Sequence, residues 1–307
     1  MSDMPKPNVI AILCSDIHLS HKPPIARAAE ESWYEAMARP LKQLRELAHK
    51  FDVQIICAGD IFNKYNPTPE LINFAIENLP LMLAICGQHD IRHHDLLSIR
   101  ESALCTLMKA KRIISLNYYN NYWFHDDVVL HGFPWGVELK PVELEPNIMQ
   151  IAVVHSYCWM RNRSYPNAPK EQHVVHYQRK LKGFDLAVFG DNHNHFYHDV
   201  HKPNIYNCGC LIRRRFDERE YEPSVGLLYS NGHAERHKLD CSEDKWSDYT
   251  EIKVAAEAAI DMHQFISELD SLENDSFDFV EAVKRHCKWN KISKRVLKEI
   301  LQAMEGK

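Results

Sequence analysis

The feature that most constrains this chain is a series of five short apolar runs, each followed directly by polar residues of the kinds that bind metals. Short apolar runs bounded by turn residues predict buried strands. Functional groups gather at the C-terminal ends of parallel strands, so we expect these five groups to lie together. In chain order the groups are Asp16-Ile17-His18, Gly59-Asp60-Ile61-Phe62-Asn63, Gly87-Gln88-His89-Asp90, His155-Ser156 and Gly190-Asp191-Asn192-His193-Asn194-His195.

The order of the predicted elements indicates an α/β fold. Strand patterns over 8–13, 53–58 and 81–85 alternate with helical patterns over 26–50, 69–78 and 96–110. This order predicts a largely parallel sheet with helices on its faces. After Arg112, seven short strand patterns between 113 and 229 are interrupted by one helical pattern, over 171–182. We interpret them as a second sheet that packs on the first.

Changes in composition along the chain predict three regions. Residues 1–240 contain the strand patterns and the polar groups, so they form the predicted catalytic domain. The polar run 241–250 is the predicted linker, and 251–307 carries helical patterns, including an amphipathic one at its end.

Composition excludes several classes of protein. The chain has 307 residues and a formal net charge of −5, which excludes a polybasic protein that binds nucleic acid or membranes by bulk charge. No apolar segment is long enough to span a bilayer, and the N-terminus lacks the layout of a signal peptide. Nine cysteines without a Cys-x-x-Cys pair favour reduced thiols. We therefore expect a cytoplasmic protein.

The ordered set of five groups resembles the calcineurin-like metallophosphoesterase family. Its pattern is Asp-x-His, Gly-Asp-x-x-Asp/Asn, Gly-Asn-His-Asp/Glu, a single His, and Gly-His-x-His, and the resemblance covers roughly residues 8–240. It implies a four-layer α/β/β/α sandwich with a dinuclear metal site at the strand ends. Two cations about 4 Å apart lower the pKa of a shared water and neutralise phosphate charge.

The resemblance also implies a role for each matching residue. The first metal would be bound by Asp16, His18 and His193, and the second by Gln88, His155 and Asp191, with Asp60 bridging both. His89 would donate a proton to the leaving oxygen, and Asp90 would orient it.

Two positions depart from the family pattern. Gln88 replaces the usual Asn, and Asp191 replaces the usual His. The ligand set becomes richer in oxygen, which favours two Mn²⁺ ions, or Mg²⁺, over Zn²⁺. A second register would use His193 and His195 as the His-x-His pair, in which case Asp191 would not be a ligand.

A later segment resembles the SbcD-type exonucleases and the eukaryotic double-strand-break repair nuclease of this family. Residues 206–218 are similar to their Tyr-x-Gly-Ser-x-x-Arg-x-x-x-x-Glu stretch, with Cys210 in place of Ser. The alternative interpretation is an edge strand with an exposed basic turn. In the functional interpretation, the substrate-binding residues are Arg213, Arg214, Arg215, Asn63 and His195.

Cations and aromatic residues also occur together between 157 and 182, a mixture suited to nucleic acid or simply to a solvated loop and helix face. The predicted function is a Mn²⁺-dependent DNA nuclease, an exonuclease with some single-strand endonuclease activity, in DNA repair, recombination or phage DNA processing. Two alternatives remain open: a phosphodiesterase or phosphatase for nucleotides or other small phosphoesters, and a non-catalytic subunit that docks a DNA end or an ATPase. The predicted partners are DNA, an SbcC-type ATPase bound by the C-terminal helices, and a second copy of the chain.

Overall fold

The computed structural model describes residues 7–117, 121–161, 164–165 and 168–248. The predicted C-terminal helical region, 251–307, lies outside the described residues, as does Arg163 of the predicted basic loop. The compact unit that contains the described strands extends to Ser247.

The first six-stranded sheet contains the three βα units predicted from the sequence. Four neighbouring strands run parallel, a later strand pairs antiparallel with the first of them, and the last described strand pairs antiparallel with that later strand. The strands, in their order across the sheet, are β12 (Ala234–Lys238), β11 (Ser224–Tyr229), β1 (Val9–Cys14), β2 (Gln54–Cys57), β3 (Met82–Ala84) and β4 (Ile113–Ser115).

The second six-stranded sheet is parallel at its centre and closed by one antiparallel strand at each edge. Its strands, again in spatial order, are β5 (Tyr122–His125), β6 (Val128–Phe133), β7 (Met149–His155), β8 (Leu186–Gly190), β10 (Asn204–Asn207) and β9 (Phe196–His198). The predicted second sheet is therefore confirmed, but two strands assigned to it, 113–116 and 224–229, belong to the first sheet as β4 and β11. Strand periodicity identifies a strand and carries no information about which sheet it joins.

Alternation of side chains along the strands gives each sheet two buried faces. The inner faces pack on each other, with Leu13 and Ile56 of the first sheet in the same apolar cluster as Val153 and Val188 of the second. The outer face of the first sheet packs under α1 (Trp33–Phe51), α2 (Pro69–Asn78) and α3 (Ala103–Lys109). The outer face of the second packs under α4 (Val174–Lys180). The α/β/β/α sandwich is thus confirmed.

Helix α1 begins later than its apolar pattern predicts. Ser32 caps it, because the Ser32 hydroxyl accepts from the backbone N–H of Glu35 at 3.3 Å. Thr68 caps α2 in the same way, and α2 has the predicted bounds, 69–78. The predicted helix 96–110 is divided, since Ser102 caps α3 after a 3₁₀ segment, Leu96–Glu101. No helix among the described residues is long and apolar enough to cross a bilayer.

Residues 240–247, which we call the C-terminal strap, are bound to the rest of the sandwich. The strap carboxylate of Asp244 lies 2.7 Å from Arg27 and 2.8 Å from Arg213, and both arginines are almost fully buried. The Trp246 ring centroid is 5.2 Å from each guanidinium carbon. The strap backbone donates to Glu30 and to the carbonyl of Ala26. The polar residues of the strap are therefore partners of buried cations. The linker over 241–250 stays a prediction, and the compact unit ends within it, at Ser247.

Candidate metal centre

The predicted polar groups converge where the C-terminal ends of the central strands of the two sheets meet. Asp16 and His18 follow β1, Asp60 follows β2, and Gln88 and His89 follow β3. From the second sheet, β7 ends at His155, and β8 is followed by Asp191 and His193. Among the described residues, four sets of three possible ligand atoms lie within 4.8 Å of one another: those of Asp16, His18 and His193, of Asp16, Asp60 and His155, of His18, Asp60 and His89, and of His193, Cys210 and Glu218.

Four residues at this junction have positive φ angles, which residues other than glycine rarely adopt. The φ angles of Asp16, His18, Asp60 and Asp191 are +52°, +51°, +54° and +79°. The loops are held by backbone hydrogen bonds, from Asp16 to Gly59 and from His18 to the Asp60 carbonyl, both at 3.0 Å. Such strain persists only where surrounding structure enforces it, and it concentrates at functional sites.

Gly87 allows the second and third groups to approach each other. A Cβ atom at Gly87 would lie 2.1 Å from Oδ1 of Asp60, so only glycine leaves room for that carboxylate. The Asp60 carboxylate is itself fully buried and central. Its Oδ2 is 3.4 Å from His155 Nε2, 3.7 Å from His18 Nε2 and 4.0 Å from His89 Nε2.

Three histidines are held through Nδ1, so that Nε2 faces the centre. His155 donates from Nδ1 to the carbonyl of Ala58 at 2.5 Å, and His89 donates to the carbonyl of Asn63 at 3.1 Å. His193 donates from Nδ1 to Oε1 of Glu218 at 2.9 Å, and its Nε2 is 3.1 Å from His18 Nε2. Fixing Nδ1 as the donor leaves the Nε2 lone pair available to a metal.

The two residues that depart from the family pattern contact each other. Gln88 Nε2 donates to Asp191 Oδ1 at 2.6 Å, which turns the amide oxygen of Gln88 away from Asp191. Burial raises the pKa of Asp191, and the charge of Asp16 raises it further. A bound cation would lower it, because opposite charge favours the ionised carboxylate.

The donor set fits metal ions. Three of its buried atoms, Asp60 Oδ2, Gln88 Oε1 and His155 Nε2, have no hydrogen-bond partner among the described residues. Burying a polar atom without a partner is costly, and coordination to a cation removes that cost. Carboxylate, amide and imidazole groups together suit divalent cations such as Mn²⁺ and Mg²⁺.

The calcineurin-like phosphoesterase family model matches residues 11–233, about three quarters of the chain. The chain belongs to this family. It is therefore a metal-dependent hydrolase of phosphoester bonds, and its family uses a dinuclear metal centre.

Solved structures similar to this phosphoesterase share little sequence with it. The TT1561 protein of Thermus thermophilus has 12% identity and a TM-score of 0.47, covering 76% of this chain and all of its own. The calcineurin-like phosphoesterase YfkN of Bacillus subtilis has 12% identity and a TM-score of 0.43, and the match covers 80% of this chain and 89% of that one. The NAD nucleotidase of Haemophilus influenzae has 14% identity and a TM-score of 0.41, covering 82% of this chain, which spans 56% of that protein. No curated protein sequence matches the chain.

Asp90 is held by backbone N–H groups in this phosphoesterase. Its buried carboxylate accepts from the backbone N–H groups of Phe62 and Gly87 at 3.0 Å and of Ile61 at 3.3 Å. Burial and the charge of Asp60 raise its pKa to about 7. The predicted role of Asp90 in orienting His89 stays a prediction, since the carboxylate of Asp90 accepts from backbone N–H groups while Nδ1 of His89 donates to the Asn63 carbonyl.

Glu218 is a site residue for which no role was predicted. In addition to accepting from His193, it accepts through Oε2 from the backbone N–H groups of Arg214 and Arg215, at 2.6 and 3.0 Å. Although burial alone would raise the pKa of Glu218, the hydrogen bond from His193 lowers it. Glu218 ends the segment 206–218 that resembles SbcD-type nucleases, and this was the only available signal.

The three consecutive arginines lie in three different environments. Arg213 is 8% exposed and donates to Asp244 and to the carbonyls of Arg219 and Cys241, so its described donors serve the protein interior, and its contact with substrate stays a prediction. Arg214 donates from Nη1 to Asn63 Oδ1 at 2.7 Å, beside the metal centre. The exposed Arg215 pairs with Asp217 at 3.0 Å. These contacts separate three neighbouring side chains that the sequence pattern alone does not distinguish.

His195 lies away from the cluster of candidate ligands. Its Nδ1 donates to the Asn207 carbonyl at 2.8 Å, and its ring centroid is 4.9 Å from that of Tyr206. The structure therefore favours the register in which Asp191 and His193 face the metals. Contact between His195 and a substrate stays a prediction.

A cationic pocket of about 450 Å³ adjoins the centre on the side of Asn63. Its lining includes no Asp or Glu among the described residues and contains the cations Lys22, Lys64 and Arg214. His21 and Thr68, the capping residue of α2, also line it. This pocket therefore concentrates positive charge beside His89 in a chain whose net charge is negative.

Proposed function

We propose that this phosphoesterase is a Mn²⁺-dependent nuclease that hydrolyses phosphodiester bonds in DNA. Its relatives in function would be the SbcD-type exonucleases, with exonuclease activity on ends and some endonuclease activity on single strands. Its role would lie in DNA repair, recombination or phage DNA processing. The supporting sequence feature is the segment 206–218, which provides both Arg214 and Glu218 to the site.

The observation that carries this proposal is the connection between the cationic pocket and His89. Asn63 accepts from His89 through its backbone carbonyl and from Arg214 through its side chain. A phosphate that follows the scissile one along a strand would be attracted to the pocket by Lys22, Lys64 and Arg214. A phosphomonoester without further phosphates would leave these cations unused.

The residues of the centre have two proposed functions in hydrolysis, metal binding and proton donation. When bound, two divalent cations supply an activated water and neutralise the charge of the phosphate. Asp16, His18 and His193 would bind one of them, and Gln88, His155 and Asp191 the other, with Asp60 shared. His89, whose Nδ1 proton is held by Asn63, would carry a second proton on Nε2 and deliver it to the leaving oxygen. The oxygen-rich set supports the choice of Mn²⁺.

The test uses end-labelled double-stranded and single-stranded DNA with Mn²⁺, Mg²⁺ or EDTA. We expect Mn²⁺-dependent shortening that is lost in Asp60→Ala and retained in Asp126→Ala, a control in an exposed turn. Shortening in EDTA, or by Asp60→Ala at the wild-type rate, would contradict the proposal.

The second candidate is a phosphodiesterase or phosphatase for nucleotides. Its support is the size of the cationic pocket, about 450 Å³, which lies in the range of cavities that bind small molecules. Faster turnover of mononucleotides than of DNA would favour it over the nuclease. Hydrolysis of a generic bis-aryl phosphodiester without any cleavage of DNA would do the same, unless a partner is required.

The partner proposals rest on sequence alone. We propose an SbcC-type ATPase as the partner of the C-terminal helical patterns, and a homodimer by resemblance to the family. Co-purification of the full chain with such an ATPase and the molar mass in solution would test them.

A further inference from the structure

A second cavity, of about 490 Å³, opens beside His155 and shares no lining residue with the cationic pocket. It lies between the end of β6, the loop that follows it, the end of β7 and helix α4. Its walls combine apolar and polar surface in similar amounts, and the side chains that matter here are Phe133, Trp135, Val137, Val154, Ser156 and Tyr177. We call it the aromatic pocket.

Trp135 is fixed at the border between the aromatic pocket and the metal centre. Its backbone N–H donates to the carbonyl of Cys86 at 3.1 Å, which ties the loop after β6 to the end of β3. Its ring centroid is 6.4 Å from that of His155 and 6.1 Å from that of His94, with edge-to-face geometry in both contacts. The indole is therefore placed before any substrate arrives.

The polar groups of the aromatic pocket are few and of both kinds. Tyr177 donates its hydroxyl proton to the carbonyl of Tyr157 at 3.0 Å, so the Ser156 hydroxyl, 2.7 Å away, must donate to Tyr177. Ser156 thus keeps free acceptor lone pairs. Glu138 and Lys180, both exposed, add an acceptor and a donor to the lining.

These features select the chemistry of the occupant. A second phosphate would meet the carboxylate of Glu138 and aromatic walls with Lys180 as the single Lys or Arg of the described lining, whereas an acyl chain would leave Ser156, Glu138 and Lys180 without a partner. A planar heteroaromatic ring fits both properties, since its faces stack on aromatic side chains and its edge carries donors and acceptors.

We propose that the aromatic pocket is the subsite for a nucleobase of the substrate, next to the phosphate that is cleaved, with Trp135 as its stacking surface. The inference rests on the proposed nuclease function and specifies it. One nucleoside of the scissile bond enters the aromatic pocket, while the neighbouring phosphates face the cationic pocket. Trp135 is then a specificity residue for base-bearing phosphodiesters.

The first experiment compares three dinucleotides under Mn²⁺: thymidylyl-thymidine and two analogues in which either the 5′ or the 3′ thymine is replaced by hydrogen. In wild type, we expect kcat/KM to fall about tenfold for one analogue and little for the other, because base stacking contributes roughly that factor. Trp135→Ala should lose this difference, and Trp135→Phe should keep most of it. Trp123→Ala, an exposed tryptophan on β5, is the matched control.

Each outcome is decisive. Equal rates for all three substrates in wild type would overturn the base subsite alone, as would an unchanged preference in Trp135→Ala. Hydrolysis of a bis-aryl phosphodiester without cleavage of any dinucleotide would overturn the nuclease function together with the subsite.

A binding measurement provides a readout that does not depend on activity. Thymidine is titrated into the full chain in EDTA while tryptophan fluorescence is followed. We expect saturable quenching in wild type and in Trp123→Ala, and its loss in Trp135→Phe. Quenching of equal size in Trp135→Phe would place the nucleoside elsewhere and overturn the proposal.

Discussion

At the scale of single residues, the site depends on groups that fix the histidines as much as on the histidines themselves. Two of the three Nδ1 acceptors are backbone carbonyls, of Ala58 and Asn63, which substitution cannot remove. The third is the Glu218 side chain, so it is the acceptor that mutation can test.

Glu218→Gln should weaken metal binding by about 10- to 100-fold, the usual effect of losing a carboxylate that orients a metal-binding histidine. The amide can still accept from the backbone of Arg214, so the fold should be retained. Isothermal titration of the metal-free protein with Mn²⁺ measures the change, and Asp217→Asn, at the exposed neighbouring position, is the control. Unchanged affinity in Glu218→Gln would show that His193 does not need this partner.

His89→Ala should separate metal binding from catalysis. We expect full metal content with a fall in kcat of roughly 100-fold or more, because a general acid contributes about that factor. Metal analysis after dialysis and steady-state kinetics on DNA are measured together, with His93→Ala, in the exposed segment that follows, as the control. Cleavage at the wild-type rate would refute the proton-donor role.

The sequence predicted those site residues that directly follow a strand, because strand, turn and side chain are neighbours in the chain. It did not predict the pairing of Glu218 with His193, which are 25 positions apart and meet only when the chain returns from β10. Nor could it distinguish a carboxylate that touches His89 from one that binds backbone N–H groups, as Asp90 does.

At the scale of elements, the short segment 213–215 connects the C-terminal strap to the surroundings of the metal centre. Arg213 faces the strap, and Arg214 faces Asn63. Adjacent arginines of one short segment therefore contact a buried ion-pair network and the surroundings of His89 separately, and their variants should have different effects.

Arg213→Ala should lower the free energy of unfolding by about 3 kcal/mol or more, because it leaves the carboxylate of Asp244 without one of its buried partners. Arg215→Ala should change it by less than about 1 kcal/mol, since its pair with Asp217 is about two-thirds exposed. Urea unfolding followed by circular dichroism measures both. Equal effects of the two variants would contradict the buried network.

Helices and central strands were predictable because apolar period and capping residues act locally, as in α2 with Thr68 and Pro69. The packing of the strap against the sandwich was not predictable, because polar residues such as Asp244 and Lys245 are typical of a linker. Only the folded structure shows that Asp244 pairs with the buried Arg27, and that the backbone N–H of Lys245 donates to Glu30, which lies just before α1.

At the scale of the whole molecule, charge is distributed unevenly. The chain carries a net charge of −5, yet the pocket beside His89 is lined by cations without a described carboxylate. A polyanion would therefore be attracted to this pocket and not to the chain as a whole. Affinity for DNA should fall with salt in proportion to the few phosphates that contact this pocket.

The last prediction concerns the part of the chain that catalysis requires. All candidate ligands, both cavities and the strap lie within residues 7–248, whose three apolar clusters include both faces of each sheet. A variant that ends at residue 248 should therefore keep the metal content, thermal midpoint and dinucleotide cleavage of the full chain.

A variant that ends at residue 239 removes the strap and should unfold at a lower temperature, because Arg27 and Arg213 lose Asp244. Calorimetry, metal analysis and kinetics on the three chains decide the matter, and loss of activity on removal of 249–307 alone would assign a catalytic role to that region.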